Sequence, residues 1–155
     1  MKIIVDTNIV FSAILISISR IWKILLNSKE HFQFFSCNFL WTEIQRHRNK
    51  LLKLTKLTEY QLTELEELAT HKITFIDERL IPQDLLTRTE AQLKTIDPND
   101  TVFVAFTKHL KGKLWTGDRQ LYHGLKAKRD RDIILTSELS SLLDDRSDEH
   151  TSDIQ

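Results

Sequence analysis

The chain has 155 residues, of which 41% are hydrophobic and 28% charged. This length suits one domain and not two, and the apolar fraction excludes a largely disordered chain. A single cysteine excludes an internal disulfide. The formal net charge is zero, but residues 144–155 carry five acids and one arginine, which leaves 21 basic and 17 acidic residues in the rest. A basic body permits a polyanionic partner without requiring one.

The N-terminus predicts a buried strand that ends at an acid. Residues 2–5, Lys-Ile-Ile-Val, form a β-branched run of the kind found in parallel strands that are buried on both faces. Asp6 follows at the end of this strand, which is where open α/β sheets bind ligands. The apolar stretch 9–18 is too short to span a bilayer, and nothing resembles an export signal. We therefore expect a cytoplasmic protein without membrane contact.

The middle of the chain alternates between helix and strand signals. We predict a helix near 21–26, a strand at 32–36, a helix from the N-cap Asn38 toward Lys53, a helix opening at Thr58, a strand at 73–76 and a polar helix at 83–94. Glu43 lies in the second turn of the helix that begins at Asn38. The region 55–95 matches no specific motif.

The C-terminal part continues this alternation. We predict a turn and helix start at 97–100, strands at 113–116 and 132–135, and helices at 118–127 and 137–143. The acidic residues 144–155 are expected to form a disordered tail after a domain that spans 1–143. Alternating strands and helices predict an α/β fold, a single domain with a central, mostly parallel sheet and helices on both faces.

Acidic residues occupy positions that suggest a shared site. Asp6 and Asp118 each follow a predicted buried strand, Asp100 opens a helix, and Glu43 can lean over the same sheet edge. Clustered carboxylates repel one another unless a cation neutralises them. Mg²⁺ prefers carboxylates, waters and phosphate oxygens, and such ions assist phosphoryl displacement. Each aspartate, taken alone, is also explained as a helix cap or a turn residue, and Glu43, taken alone, as a solvent-exposed helix residue.

Four stretches of the chain together resemble a known family. They are residues 3–13, Ile-Ile-Val-Asp-Thr-Asn-Ile-Val-Phe-Ser-Ala; 40–44, Leu-Trp-Thr-Glu-Ile; 97–106, Asp-Pro-Asn-Asp-Thr-Val-Phe-Val-Ala-Phe; and 114–121, Leu-Trp-Thr-Gly-Asp-Arg-Gln-Leu. In this order they resemble the PIN-domain ribonucleases, especially the VapC-like toxins of bacterial toxin–antitoxin pairs. The resemblance covers residues 1 to about 136.

The resemblance implies an endoribonuclease that uses Mg²⁺ or Mn²⁺ and an activated water. The metal ligands and catalytic acids that it implies are Asp6, Glu43, Asp100 and Asp118. Asn8, Asp97 and Thr116 would be polar neighbours that orient ligands or water, and Asp97 is also an alternative to Asp100 as the third acid. Many members carry another acid where this chain has Gln120, so the number of metals, one or two, stays open. An antitoxin partner and a homodimer are also implied.

Basic residues near the predicted site suggest contacts with the RNA backbone. Arg46, Arg48, Lys50 and Arg119 are the predicted RNA-binding residues, and residues 126–131 hold a second basic cluster. The alternative for these residues is a solvated helix face.

Other readings of the acidic residues stay open. The chain can be a catalytically inactive PIN domain that acts as a binding module. A phosphatase that uses Asp6 would need a second acid two residues later, where the chain has Asn8. Glu43 and His47, four residues apart on a helix, can also be a transition-metal pair or an exposed ion pair.

Overall fold

The structure, a computed structural model, describes residues 1–16, 19–28 and 30–154, with side chains as far as Arg146. Within these ranges five parallel strands form one sheet: β1 (Lys2–Val5), β2 (Gln33–Cys37), β3 (Ile73–Ile76), β4 (Lys113–Trp115) and β5 (Ile133–Ile134). Their order across the sheet is β3-β2-β1-β4-β5. The predicted parallel α/β sheet is confirmed.

Helices connect the strands throughout. They are α1 (Thr7–Leu15), α2 (Arg20–Asn27), α3 (Phe39–Arg46), α4 (Arg48–Thr55), α5 (Glu59–Thr70), α6 (Gln83–Leu93), α7 (Thr101–Leu110), α8 (Arg119–Ala127) and α9 (Thr136–Ile154), with short 3₁₀ turns at Glu78–Leu80 and Pro98–Asp100. Helix α7 packs against β1, β2 and β4, whereas α1 packs against α2, α3, α4 and α5. Because crossovers between parallel strands are right-handed, α1 to α5 cover one face and α6 to α8 the other.

The core lies between the sheet and these two helix layers. Ile3, Ile4 and Val5 of β1 are fully buried, as expected for a strand covered on both faces. Phe106 of α7 and Trp115 of β4 are among the largest buried side chains. The start of β4 approaches β1 so closely that a Cβ at Gly112 would lie 2.8 Å from the Lys2 carbonyl oxygen. This close approach requires glycine there and sets β4 directly beside β1.

No single helix in the described ranges is both long and apolar enough to cross a membrane. Helices α1 and α2 meet the length and composition criteria together as a sharply bent pair. In the fold, α1 buries Ile9, Val10, Ala13 and Ile14 within the domain. Ile18, the end of the predicted apolar stretch, lies outside the described residues.

The helix predicted from Asn38 to Lys53 is in fact two helices. Helix α3 ends at Arg46 and α4 begins at Arg48, with His47 between them at φ −103° and ψ 10°. Asn38 has helical backbone angles and makes no side-chain cap, because an N-cap needs an extended backbone to reach the first free amides. Thr58 does cap its helix as predicted, in a reciprocal pair of hydrogen bonds with Gln61.

The last two elements differ in length from their predictions. Strand β5 stops at Ile134, since the backbone amide of Leu135 donates to Glu138 Oε1 at 3.1 Å and caps α9. Helix α9 runs to Ile154, well past the predicted end at 143, and thus takes in the acidic segment for which disorder was expected. The domain boundary at 143 stays a prediction.

Candidate metal centre

The candidate site lies where β1 and β4 run side by side. Strand order reverses at this pair, since the chain leaves β1 for β2 on one side and returns to β4 on the other. Open α/β sheets bind ligands at such a crevice, outside the carboxyl ends of the strands. Asp6 follows β1 and Asp118 follows β4, and the Asp6 amide donates to the Trp115 carbonyl at 3.2 Å. The two strand ends are therefore tied together with their acids at one edge.

Three aspartates form a compact group at this edge. Asp97, Asp100 and Asp118 can each place one carboxylate oxygen within 4.8 Å of the others. Two of them are oriented by capping, because Asp97 accepts from the Asn99 amide at 3.0 Å and Asp118 from the Leu121 amide at 3.1 Å. The sequence left Asp97 as an alternative to Asp100, whereas the structure brings both to Asp118.

Asp100 is the least satisfied member of this group. Its Oδ2 is buried and has no hydrogen-bond partner among the described residues. Burial, followed by the charges of Asp6, Asp97 and Asp118, raises the pKa of Asp100 to about 8. An unpaired buried polar atom costs about 1–3 kcal/mol, and a hard cation relieves both this cost and the repulsion. The donor set is oxygen only, so it fits Mg²⁺ or Mn²⁺.

Asp6 lies beside this group and is only 3% exposed. Burial is the main cause that raises the pKa of Asp6 to about 6, and the charges of Glu43 and Asp118 act in the same direction. The Thr116 hydroxyl opposes this shift by donating to Asp6 Oδ2 at 2.8 Å. Asp6 is therefore close enough for its pKa to respond to the charges of both Glu43 and Asp118.

Glu43 reaches the site from α3 through a residue to which the sequence analysis gave no role. The Thr7 hydroxyl donates to Glu43 Oε1 at 2.6 Å, and Glu43 is partly buried. It is therefore not simply a solvated helix residue, although it stands outside the compact group of three aspartates. The signal for Thr7 was its position directly after Asp6, at the start of α1.

Thr116 and Asn8 connect the two strand ends by hydrogen bonds. The Thr116 hydroxyl accepts from the Asp118 amide at 3.1 Å and from Asn8 Nδ2 at 3.4 Å. Asn8 Oδ1 accepts from the Gly117 amide at 3.1 Å. This places both residues where the resemblance implied polar neighbours of the acids. The phosphatase alternative needs a second acid at position 8. That position holds Asn8, whose amide nitrogen and oxygen both make hydrogen bonds.

The predicted RNA-binding residues divide into two kinds. Arg46, Lys50 and Arg119 are exposed. Arg48 instead forms an ion pair with Glu66, which is buried, and donates to Thr63 Oγ1 at 2.9 Å. Its guanidinium holds α4 against α5, so Arg48 has a structural role and is not included in the RNA contacts proposed below.

The second basic cluster, residues 126–131, lies away from the acids. It precedes β5, which begins at Ile133, and so stands at the amino-terminal edge of the sheet, opposite the acidic site. Lys128 donates to the Gln92 carbonyl there, and Lys108 pairs with Asp130 at 2.9 Å. Contact of this cluster with the RNA backbone stays a prediction, and its placement puts any such contact away from the acids.

The Glu43–His47 metal pair also lacks support. Glu43 accepts from Thr7, and the His47 ring packs edge-on against Phe11, with centroids 5.6 Å apart. Across the described side chains, the one group of three possible ligands within metal-binding distance is Asp97, Asp100 and Asp118.

Comparison with known proteins bears on the fold. The family model described as "PIN domain" matches residues 4–138, which contain every acid of the candidate site. A chain of the crystal structure of VapBC2 from Rickettsia felis bound to a DNA fragment from their promoter superposes with a TM-score of 0.66 at 17% identity. The match covers 87% of this chain and 97% of that chain. Comparison with curated protein sequences finds no significant match.

Proposed function

Because this chain belongs to the PIN-domain family, we propose that it is a metal-dependent endoribonuclease that hydrolyses RNA phosphodiester bonds with an activated water. The observation that carries this proposal is the convergence of Asp97, Asp100 and Asp118 at the sheet edge beside buried Asp6. Acids gathered this closely raise one another's pKa values, a cost that a bound divalent cation offsets while it keeps coordination positions for substrate phosphate oxygens.

The residues that would hold Mg²⁺ or Mn²⁺ are Asp100 and Asp118, with Asp97 in the same compact group and with Asp6 and Glu43 beside it. A bound divalent ion supplies a Lewis acid and lowers the pKa of a coordinated water. The chain's own contribution is orientation. Thr116 fixes the Asp6 carboxylate, and the start of α8 fixes Asp118 through the Leu121 amide. Loss of such a supporting contact is expected to lower metal affinity by about 10–100-fold.

Exposed cations flank the acids on two sides. Arg46 and Lys50 lie on α3 and α4, the elements that follow β2, and Arg119 opens α8 directly after Asp118. Phosphate contacts of this kind position single-stranded RNA without reading its sequence. We therefore propose that RNA crosses the acidic site between these two basic edges.

The direct test is cleavage of single-stranded RNA by the purified full chain with Mg²⁺ or Mn²⁺. Asp6→Asn and Asp118→Asn are expected to abolish cleavage, and EDTA to abolish it in the wild type. Asp84→Asn is the matched control, because Asp84 is an exposed acid on α6. Equal cleavage by the wild type and Asp6→Asn would mean that a contaminant or another site is responsible.

We further propose that this ribonuclease is the toxin of a toxin–antitoxin pair, with an antitoxin protein that covers the acidic site. The VapC-like motifs and the structural likeness to a VapBC2 chain support this. Expression of the chain by itself should slow growth, whereas Asp6→Asn should not. Normal growth with active wild-type protein in the cell would remove the toxin role and leave the nuclease. A homodimer and a cytoplasmic location stay predictions.

A further inference from the structure

A pocket of about 220 Å³ lies along α1, beyond the Thr7–Glu43 contact of the acidic site. Its lining residues come from α1, α4 and the junction before α4: Phe11, Leu15, His47, Lys50, Leu51 and Leu54. We propose that this pocket holds one nucleobase of the RNA, adjacent to the nucleotide that is cleaved. The inference rests on the proposed ribonuclease function and adds a substrate-positioning subsite to it.

Two contacts between the same pair of segments relate the position of the pocket to that of the acids. Thr7 and Glu43 are joined by their hydrogen bond at the site. Four residues further along each segment, the rings of Phe11 and His47 meet at 5.6 Å between centroids. A helical turn advances about 5.4 Å, so this ring pair stands about one turn from the Thr7–Glu43 contact. The pocket is thus within reach of a base next to a phosphate held at the acids.

The ring pair offers a stacking surface. The planes of the two rings are nearly perpendicular, at 85°, so the rings do not stack face to face on each other. His47 is exposed, because the break between α3 and α4 places it outside both helices. Bases of single-stranded RNA stack on phenylalanine and histidine rings without strong sequence preference. An aromatic wall beside a phosphodiester-cleaving site therefore fits a base.

The remaining lining supplies apolar contacts and one cation. Leu15 and Leu54 are 45% and 59% exposed and provide apolar contact for the base edges. Lys50 belongs to the same lining, and exposed Arg46 precedes His47. A cation in the lining of an apolar pocket complements a phosphate that flanks a bound base.

Substitution of His47 tests the subsite without touching the acids. His47→Ala is expected to raise KM for a short single-stranded RNA about tenfold, with kcat changed much less, since stacking contributes to binding. His47→Phe keeps a stacking ring and should stay near the wild-type KM. His71→Ala is the matched control, because His71 is an exposed histidine that follows α5 and precedes β3. Thermal unfolding of each variant checks that the fold is retained.

Abasic RNA identifies the occupant of the pocket. The same RNA, with an abasic ribose at each position in turn, is titrated by fluorescence anisotropy in Ca²⁺. One abasic position should raise Kd for the wild type about tenfold and have little effect on His47→Ala. A full penalty at that position in His47→Ala, or equal RNA affinity of His47→Ala and the wild type, would overturn the inference while wild-type cleavage keeps the proposed function. A wild type that neither cleaves nor binds RNA would overturn both.

Discussion

The Thr116 hydroxyl donates to Asp6 Oδ2 at 2.8 Å across 110 residues of chain, and both side chains are buried. The same hydroxyl oxygen accepts from the Asp118 amide at 3.1 Å. One threonine thus sets the positions of the acids that follow β1 and β4. Because a buried carboxylate needs hydrogen-bond donors to carry its charge, this contact stabilises the fold and orients the site together.

Replacement of Thr116 should therefore affect stability and metal binding at once. Thr116→Val removes the donor to Asp6 and the acceptor for the Asp118 amide, so the free energy of unfolding should fall by about 1–3 kcal/mol. Mn²⁺ affinity should fall about 10–100-fold. Thr116→Ser keeps the hydroxyl and serves as the control. Urea unfolding and Mn²⁺ titration measure the two effects; wild-type values for the valine variant in both would contradict this role.

Asp100→Asn should stabilise the cation-free protein at alkaline pH. The pKa of Asp100 is about 8 in the fold and about 4 in an unfolded chain. The folded state therefore binds more protons between these values, and its stability falls as pH rises from 4 to 8. Removal of this titration should raise the free energy of unfolding at pH 8 by a few kcal/mol and change it little at pH 4.

Urea unfolding in EDTA at the two pH values measures this difference for Asp100→Asn. The variant should also lose the stabilisation that Mn²⁺ gives the wild type, because a neutral amide replaces a charged ligand. A variant that is less stable than the wild type at pH 8 in EDTA would show that the Asp100 carboxylate is well tolerated without a cation.

Arg48 and Arg46 should behave in opposite ways. Burial is the main cause that raises the pKa of Glu66, against the lowering effect of Arg48. Arg48→Met leaves this acid buried and unpaired, so the free energy of unfolding should fall by about 3 kcal/mol. Arg46→Ala should change stability by less than about 0.5 kcal/mol and weaken RNA binding with a shallower salt dependence. Urea unfolding and RNA titration of both variants measure these two effects. An Arg48→Met variant that is as stable as the wild type but binds RNA weakly would show that Arg48 contacts RNA.

The Lys108–Asp130 pair should contribute stability that is lost in acid. Burial raises the pKa of Asp130, but hydrogen bonds from the Asp132 amide, Lys108 and Gln92 outweigh it, so the net shift is downward. A carboxyl with a lowered folded pKa stabilises the fold above its ordinary value and loses this contribution as pH falls through the folded value. Asp130→Asn should cost about 1–2 kcal/mol at pH 7 and nothing in strong acid. A constant difference between the two proteins across pH, measured by urea unfolding, would exclude this linkage.

Local signals in the sequence account for most of the fold. The β-branched run 2–5 predicted β1, and Thr58 predicted the start of α5, because a short strand and a helix cap both depend on residues that are neighbours in sequence. The break at His47 has no glycine or proline to mark it. Arg48, just past the break, binds Glu66 on α5, which belongs to the region 55–95 that matched no motif.

The positions of the site acids could be predicted from the sequence about as well as the fold. Asp6 and Asp118 follow strands, so their meeting depends on strand order, which the alternation of elements implied. Asp97 reads locally as a turn cap, and it does cap the Asn99 amide. Its approach to Asp118 depends on how the turn before α7 sits against the start of α8, which pairwise spacing along the chain does not encode.

Anomalous scattering from a crystal of the full chain grown with Mn²⁺ tests the central claim most directly. The account predicts a manganese peak roughly 2 Å from carboxylate oxygens of Asp100 and Asp118, on the side of the group that faces Asp6. A saturating Mn²⁺ concentration with no peak among these carboxylates, or with peaks only elsewhere on the surface, would contradict it.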